Sequence, residues 1–395
     1  MNTIVPKGYK KTKVGVIPED WEVVKLGDIF NIKVGKDLDE NNFSPLKTAE
    51  HIYPIYSNTV EQRGLYGYSK VYEYNKNSLT VVGRGIGLGT AFSRHHDYSA
   101  IGRLLVLQPI NKTDVDFMSE YINFKMHIFD ESSGIPQLTG ISFSTYLVLL
   151  PSLKEQEKIA EILTTWDEAI IKQEELIKAK ELQKKGLMQK LLSGEVRFRE
   201  FTSSWKKTKI GSVCTIKTGI SKSEFRSNDG KFFIVDMGSV SKYGELIATK
   251  KTNIQQDILS KDDLIMPKDD IGGGEIIGKT ARIDCDNKYV LGDHVFLLRC
   301  KKDNPVFIHY VINSHAINKS LRRKSTGTAQ LGLSKKSVET QTIFCPDIQE
   351  QQKIAEVLSL ADDEISLLQN ELAELKQQKK GLMQKLLTGK VRVKV

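Results

Sequence analysis

Gly273 to Thr280 reads GGEIIGKT and fits the phosphate-loop pattern G-x-x-x-x-G-K-T, whose backbone N–H groups and lysine cradle nucleotide phosphates. That chemistry needs a strand before the loop and a helix after it. The residues that follow, ARIDCDNKYV, are β-type and turn residues without helical periodicity, and no later apolar strand ends in an aspartate placed to hold magnesium. Nucleotide hydrolysis through Lys279 therefore has the least support. A turn that sets Lys279 and Arg282 beside nucleic acid, or an ordinary hairpin, fits better. The glycines at 83, 85, 87 and 89 miss the G-x-G-x-x-G pattern in either register and predict a tight loop that brings Arg84 close to a ligand. His95 and His96 fall on a predicted turn and lack a third ligand at metal-binding spacing, which leaves phosphate or base contact. Pro346-Asp347…Glu350…Lys353 is similar to a nuclease metal motif, but the lysine comes three residues after the glutamate instead of two. Asp347 and Glu350 have capping-box spacing, as do Ser152 and Glu155. No Asn/Asp-Pro-Pro-aromatic motif for amino-methyl transfer is present. With no catalytic signature, the chain reads as a non-enzyme that needs no cofactor or metal, and any chemistry belongs to partners.

The charge balance says which ligand the scattered cations suit. Against 49 acidic residues stand 58 lysines and arginines, a net charge of +9 that favours a polyanion. A second cationic cluster, Arg322-Arg323-Lys324, precedes Ser325-Thr326-Gly327 and is either a phosphate grip or a solvated helix end. The corresponding stretch of the first half, Asp130-Glu131-Ser132-Ser133-Gly134, is acidic. The four cysteines are far apart and form no C-x-x-C pair, so neither a zinc knuckle nor a disulfide framework is expected. The N-terminal stretch has no secretory h-region, and no apolar run reaches the roughly 18 residues of a membrane helix. A cytoplasmic protein is the expectation.

These residues must be positioned by a frame, and the frame is a repeat. Residues 154–193 and 349–388 align without gaps at a constant offset, and both contain KKGLMQKLL. Each copy predicts one long helix. In the second, Ile354, Leu358, Ala361, Ile365, Leu368, Leu372, Leu375, Leu382 and Leu386 step by threes and fours, as a coiled-coil seam does. The first uses Ile159, Leu163, Trp166, Ile170, Ile177, Leu187 and Leu191, with polar interruptions at Gln173 and Lys180. Lys184 and Lys379 interrupt both copies at the same place. About 40 residues at 1.5 Å each make a rod of roughly 55–60 Å. A narrow seam needs one partner, and two like helices in one chain match each other best when antiparallel.

Between the helices the grammar changes to short β-type runs and glycine turns. Trp21 stands five residues before Leu26-Gly27, and Trp205 five before Ile210-Gly211. The segments also close alike, with Gln137-Leu138 and Gln330-Leu331 ahead of a strand that ends at proline. Their middles share little. The expected fold is α+β: two mixed α/β globules joined by two long antiparallel coiled-coil helices in pseudo-two-fold arrangement. The boundaries fall at 1–150, 151–198, 199–345 and 346–395.

Ile17-Pro18…Trp21…Leu26-Gly27, the blocks Pro151…Glu155-Gln156…Ile159-Ala160 and Pro346…Glu350-Gln351…Ile354-Ala355, and LMQKLL at 187–192 and 382–387 give a layout that resembles the specificity subunits of type I restriction-modification systems. The resemblance covers nearly the whole chain. It implies two target-recognition domains that each read one half of a split double-stranded DNA site. It further implies helices that set the spacing and dock two methyltransferase subunits, and a third, ATP-driven restriction subunit that cuts. Two other readings stand beside it: the recognition subunit of a related system whose nuclease and methyltransferase are fused, and a coiled-coil structural protein. The second leaves the basic balance and the divergent middles unexplained.

Overall fold

A computed structural model describes residues 5–111, 113–126, 128, 136–327 and 330–395. It forms two units: Met1–Glu174 with Asn370–Val395, and Glu175–Gln369. Each therefore holds one of the two β-rich segments together with part of both long helices. The acidic stretch at 130–134 lies outside the described residues.

In the first unit an antiparallel sheet runs in the order Phe30–Val34, Leu105–Pro109, Ser78–Val81, Ala91–Arg94. Strand Glu22–Lys25 leads into a single helical turn, α1 (Leu26–Ile29), and pairs with Leu147–Leu150, the strand that closes the segment. Helix α2 (Val115–Lys125) starts where the Asp114 carboxylate accepts the Phe117 N–H at 2.7 Å, and buries Met118, Tyr121 and Ile122. The short α3 (Gly140–Ser144) precedes the closing strand. Leu153–Ser193 is the first long helix, α4.

The second unit repeats this construction. Its sheet runs Cys214–Thr218, Val295–Cys300, Leu264–Pro267, Ala281–Arg282. Strand Lys206–Lys209 leads into α5 (Ile210–Val213) and pairs with Thr342–Cys345. Helix α6 (Pro305–Asn313) is capped by Asn304, and α7 (His315–Arg323) follows it directly. Then come α8 (Lys335–Glu339) and the second long helix, α9 (Ile348–Leu386).

The repeated motif at the start of each long helix is a joint to the β-rich segment that precedes it. The side-chain oxygen of Gln156 accepts the Asp114 N–H, and that of Gln351 accepts the Asn304 N–H, both at 2.9 Å. Their amides donate to the Pro151 and Pro346 carbonyls. Ile159, Ala160 and Leu163 enter the core that holds Trp21, Leu26 and Phe117; Ile354, Ala355 and Leu358 enter the core that holds Ile210 and Phe307. At the first long helix the capping box is only half formed. Ser152 Oγ accepts the Glu155 N–H, but the Glu155 carboxylate is spent on Trp21 Nε1 and Arg392, and Glu350 on the Arg197 guanidinium. A buried carboxylate gains more from a guanidinium than from one backbone donor, so the glutamates turn inward.

Within each unit the two long helices run antiparallel. In the first, Gln173 meets Glu371, Glu174 meets Lys376, and Asp167 meets Lys379, so a step back along α4 is a step forward along α9. In the second, Lys180 meets Glu364 and Lys184 meets Asp362. The polar interruptions of the seam are thus interhelical contacts. Of the apolar seam, Ile159, Leu163, Ile354 and Leu358 are buried, while Trp166, Ile170, Ile365, Leu368, Leu372 and Leu375 are half-buried. Lys379 also bonds Glu120 of α2 at 3.1 Å, and Asp362 accepts from Tyr310 of α6 at 2.5 Å. Glu120 and Tyr310 occupy the same place, six residues past their helix caps.

Burial raises the Glu120 carboxyl above its ordinary value, the Lys379 ammonium pulls it back, and Asp167 raises it again. Lys379→Met removes the cation and leaves two facing carboxylates, and should cost roughly 1–3 kcal/mol. A carboxyl with a raised folded-state pKa loses stability as pH climbs through that pKa, and losing Lys379 raises it further. The deficit should therefore widen between about pH 5 and about pH 8 in urea unfolding. A deficit independent of pH would assign the lysine a packing role only.

Candidate DNA interface

Strand register aligns the two units residue by residue. Leu79 opposes Leu107 in the first sheet, and Leu264 opposes Leu298 in the second. Two hairpin loops then occupy the same place: residues 82–90, from Ser78–Val81 to Ala91–Arg94, and residues 268–280, from Leu264–Pro267 to Ala281–Arg282. The glycine run of the first half and the phosphate-loop pattern of the second are one structural element. No helix follows either loop directly, so the second has no phosphate cradle of the nucleotide-binding kind.

Each loop is anchored at its root by the segment before the closing strand. The Leu138 N–H donates to the Gly83 carbonyl at 2.9 Å, and the Leu333 N–H to that of Lys268 at 2.7 Å. Arg84 bridges to Gln137, and Asp269 to Gly332. The partner of Gln137-Leu138 is thus Gly332-Leu333, not Gln330-Leu331 as the sequence suggests. A second turn flanks each root. A Cβ at Gly83 would come within 2.6 Å of the Arg103 carbonyl, and the Lys268 N–H donates to the His294 carbonyl at 3.0 Å. Arg103 and His294 both have left-handed backbone, φ 68° and 59°. The loops themselves turn through Gly85 and Gly273, each at φ 86°, where glycine adopts the conformation without strain.

The predicted contact residues fall into several environments. Arg84 is exposed at its loop root. His95 pairs with Asp116 at 2.9 Å, whereas His96 shares a hydrogen bond with the Tyr56 hydroxyl at 2.7 Å and is pushed down by burial and by Arg94. In the second unit Lys279 points back into the fold, its Nζ donating to the Asn313 carbonyl at 3.4 Å, and burial lowers its pKa. Arg282 is exposed and pairs with Asp262 at 3.0 Å. Arg322 and Arg323 are exposed on the last turn of α7, and Arg322 lies against the loop at Gly274. Lys324 is turned away, donating to Gln341 at 2.7 Å. The structure thus brings Lys279 and Arg322 to one loop and leaves Arg282 in its own ion pair.

Buried Arg94 lies 3.5 Å over the Tyr56 ring and donates to Thr80 Oγ1 and the Arg63 carbonyl, which supports the neighbouring turn at Gln62 and Arg63, both with positive φ. Among the described residues no cluster of three metal-ligating side chains occurs, and no helix is long and apolar enough to cross a membrane.

The sequence profile of the type I restriction modification DNA specificity domain matches residues 18–181 and 202–377. The chain belongs to that family. It is similar to the type I restriction enzyme MjaVIII specificity subunit of Methanocaldococcus jannaschii, 27% identical over 412 aligned positions that cover 96% of this chain and 94% of that one. The putative MjaX specificity subunit of the same organism is 24% identical and covers 98% of this chain and 97% of its own. In fold it is similar to the crystal structure of a type I restriction-modification S subunit from M. genitalium, with TM-score 0.64, 17% identity, and coverage of 93% of this chain and 96% of that one. As a member of this family the chain is a non-catalytic specificity subunit that binds DNA and works within a complex.

Arg103, Asp269, His294, Ile86 and Ile271 are not singled out by the sequence; they come to the two loops and the turns beside them only when strand register aligns the units. For the cationic run the geometry sharpens the expectation. Replacing Arg322 and Arg323 by alanine should make the slope of log affinity against log salt shallower by roughly one to two units, and Lys324→Ala should leave it unchanged. An unchanged slope in the double variant would return both arginines to the solvated surface.

Proposed function

We propose that each unit reads one half of a bipartite double-stranded DNA site through the face that carries its glycine loop. The observation behind this reading is one apolar frame, built twice, that carries loops of different chemistry. Phosphates are the same in every sequence and call for shared contacts; base edges differ and call for divergent ones. The target-recognition domains would span 1–150 and 199–345, and the helical regions 151–198 and 346–395. The paired helices would act as a spacer between the readers, and their outer surfaces would dock two methyltransferase subunits. Those subunits would bring the methyl donor and flip the target base out of the stack. An ATP-driven restriction subunit would complete the enzyme in the cytoplasm. Lys279 has no nucleotide role in this assembly.

Co-expression with the methyltransferase should give a complex of two methyltransferases to one of this chain, measurable by native mass spectrometry. A monodisperse chain that ignores the methyltransferase would count against the docking role. The spacer role has its own test, and the interhelical contacts dictate its design. Seven residues inserted between Gln173 and Lys180 must be matched by seven between Glu364 and Glu371, so that the contacts on both sides keep their partners. The pair lengthens by about 10 Å. At about 3.4 Å per base pair the unread gap should grow by up to roughly three base pairs with both half-sites intact. Sequencing of methylated bases in cells carrying the variant reads this directly, and an active enzyme with an unchanged gap would remove the ruler.

A further inference from the structure

The aligned loops carry two equivalences that their function must explain. Five residues past Leu79 stands Arg84, and five past Leu264 stands Asp269, so one position of the frame holds opposite charges in the two units. The turn beside it differs too: Arg103 in the first unit, His294 in the second, each exposed. Two residues further along each loop is an isoleucine. Ile86 is 92% exposed and Ile271 67% exposed, although little else in the two middles agrees. An aliphatic side chain held in water two residues past the matched loop root in both domains contributes nothing to either core.

We propose that these loops are the base-reading elements, with residue 84 or 269 specifying a base in its own half-site and Ile86 or Ile271 seating the loop in the groove of either. This rests on the DNA-reading role proposed above and names the residues that carry it. A position facing the phosphate chain in both halves would be cationic in both. A carboxylate at the equivalent place is repelled by phosphate, so the shared position faces something that changes between half-sites, and base edges do. The chemistry follows from donors and acceptors. Arg84 and Arg103 offer donors only and suit an acceptor edge such as guanine O6 and N7. Asp269 accepts from His294 Nδ1 at 2.6 Å, which fixes the ring and leaves the other carboxylate oxygen for an exocyclic amino group, cytosine N4 or adenine N6. The isoleucines are alike because what they meet is alike: an apolar base edge in the same major groove, which a branched aliphatic side chain can cover.

The test uses the chain assembled with its methyltransferase and sequencing of methylated bases in the host genome. Arg84→Ala should relax one base pair in one half-site, and Asp269→Ala one base pair in the other, each with a loss of discrimination of roughly 10- to 100-fold. Arg84→Lys, which keeps the charge but not the bidentate fork, should relax the same base pair with an unchanged salt slope. His294→Ala should affect the same base pair as Asp269→Ala. Ile86→Ser and Ile271→Ser should keep the motif and the salt slope and lower cognate affinity by roughly 10-fold each. All these side chains except Asp269 are exposed, and formation of the complex checks the fold of every variant. Unchanged motifs in Arg84→Ala and Asp269→Ala overturn the proposal. So does a base-independent loss with a salt slope shallower by about one, which would make Arg84 a phosphate grip. A wild-type complex that methylates no bipartite motif would instead overturn the half-site reading itself.

Discussion

A lysine set between two helices fixes the frame on which the recognition surfaces are built. A seam of leucines and isoleucines pairs helices strongly but tolerates slippage, because one apolar layer resembles the next. Lys379 with Asp167, and Lys184 with Asp362, remove that freedom. A slip by one heptad toward the start of either helix would set Lys379 against Ala160 and Lys184 against Ala355, both buried, and an ion stripped of water without a partner costs several kcal/mol. The same lysine-aspartate pairs also meet the recognition segments, through Glu120 and Tyr310. Helix register and the seating of each segment on its helices therefore rest on one contact, made twice.

Around that contact the two units have drifted without losing the joint. Gln156 and Gln351 make the same stitch to a helix cap. Glu155 and Glu350 both face inward, but Glu155 serves Trp21 and Arg392 together, whereas Glu350 serves Arg197 alone. Among the described residues the buried Trp205 indole N–H meets no acceptor. Drift of this size is tolerable in the joint because the apolar contacts of Ile354, Ala355 and Leu358 remain.

The long helices, their seam and the duplication could be read from the sequence because helical periodicity is local and the repeat keeps one constant offset from the closing strand onward. The recognition segments could not be aligned the same way. Trp21 and Trp205 are 184 residues apart, Leu138 and Leu333 are 195 apart, and the difference accumulates in several loops between them. A match on residue type, Gln137-Leu138 with Gln330-Leu331, picked the wrong pair, since hydrogen bonding to the strand end decides the place. The glycine run and the phosphate-loop pattern likewise looked like unrelated motifs. Arg84 was legible as a cation on a tight loop. Asp269 was not, because an acidic residue in a basic chain gives no sign of DNA contact until it is seen to stand where the arginine stands. Lys279 shows the reverse: its type and motif drew attention, and burial against Asn313 turns it inward.

Duplication within one chain also explains why the frame is repeated while the loops are not. A homodimer of a single recognition segment would carry identical loops by symmetry, and the site it reads would be a palindrome. Joining two copies in one chain lifts that constraint on the loops and leaves it on the helices, which must still match each other. Lysine and aspartate are accordingly retained at both places in the seam, where a change in one copy would strand its partner in the other. Arginine and aspartate can diverge at positions 84 and 269, because neither depends on the other for folding. The requirement to pair separates what is repeated in this chain from what varies.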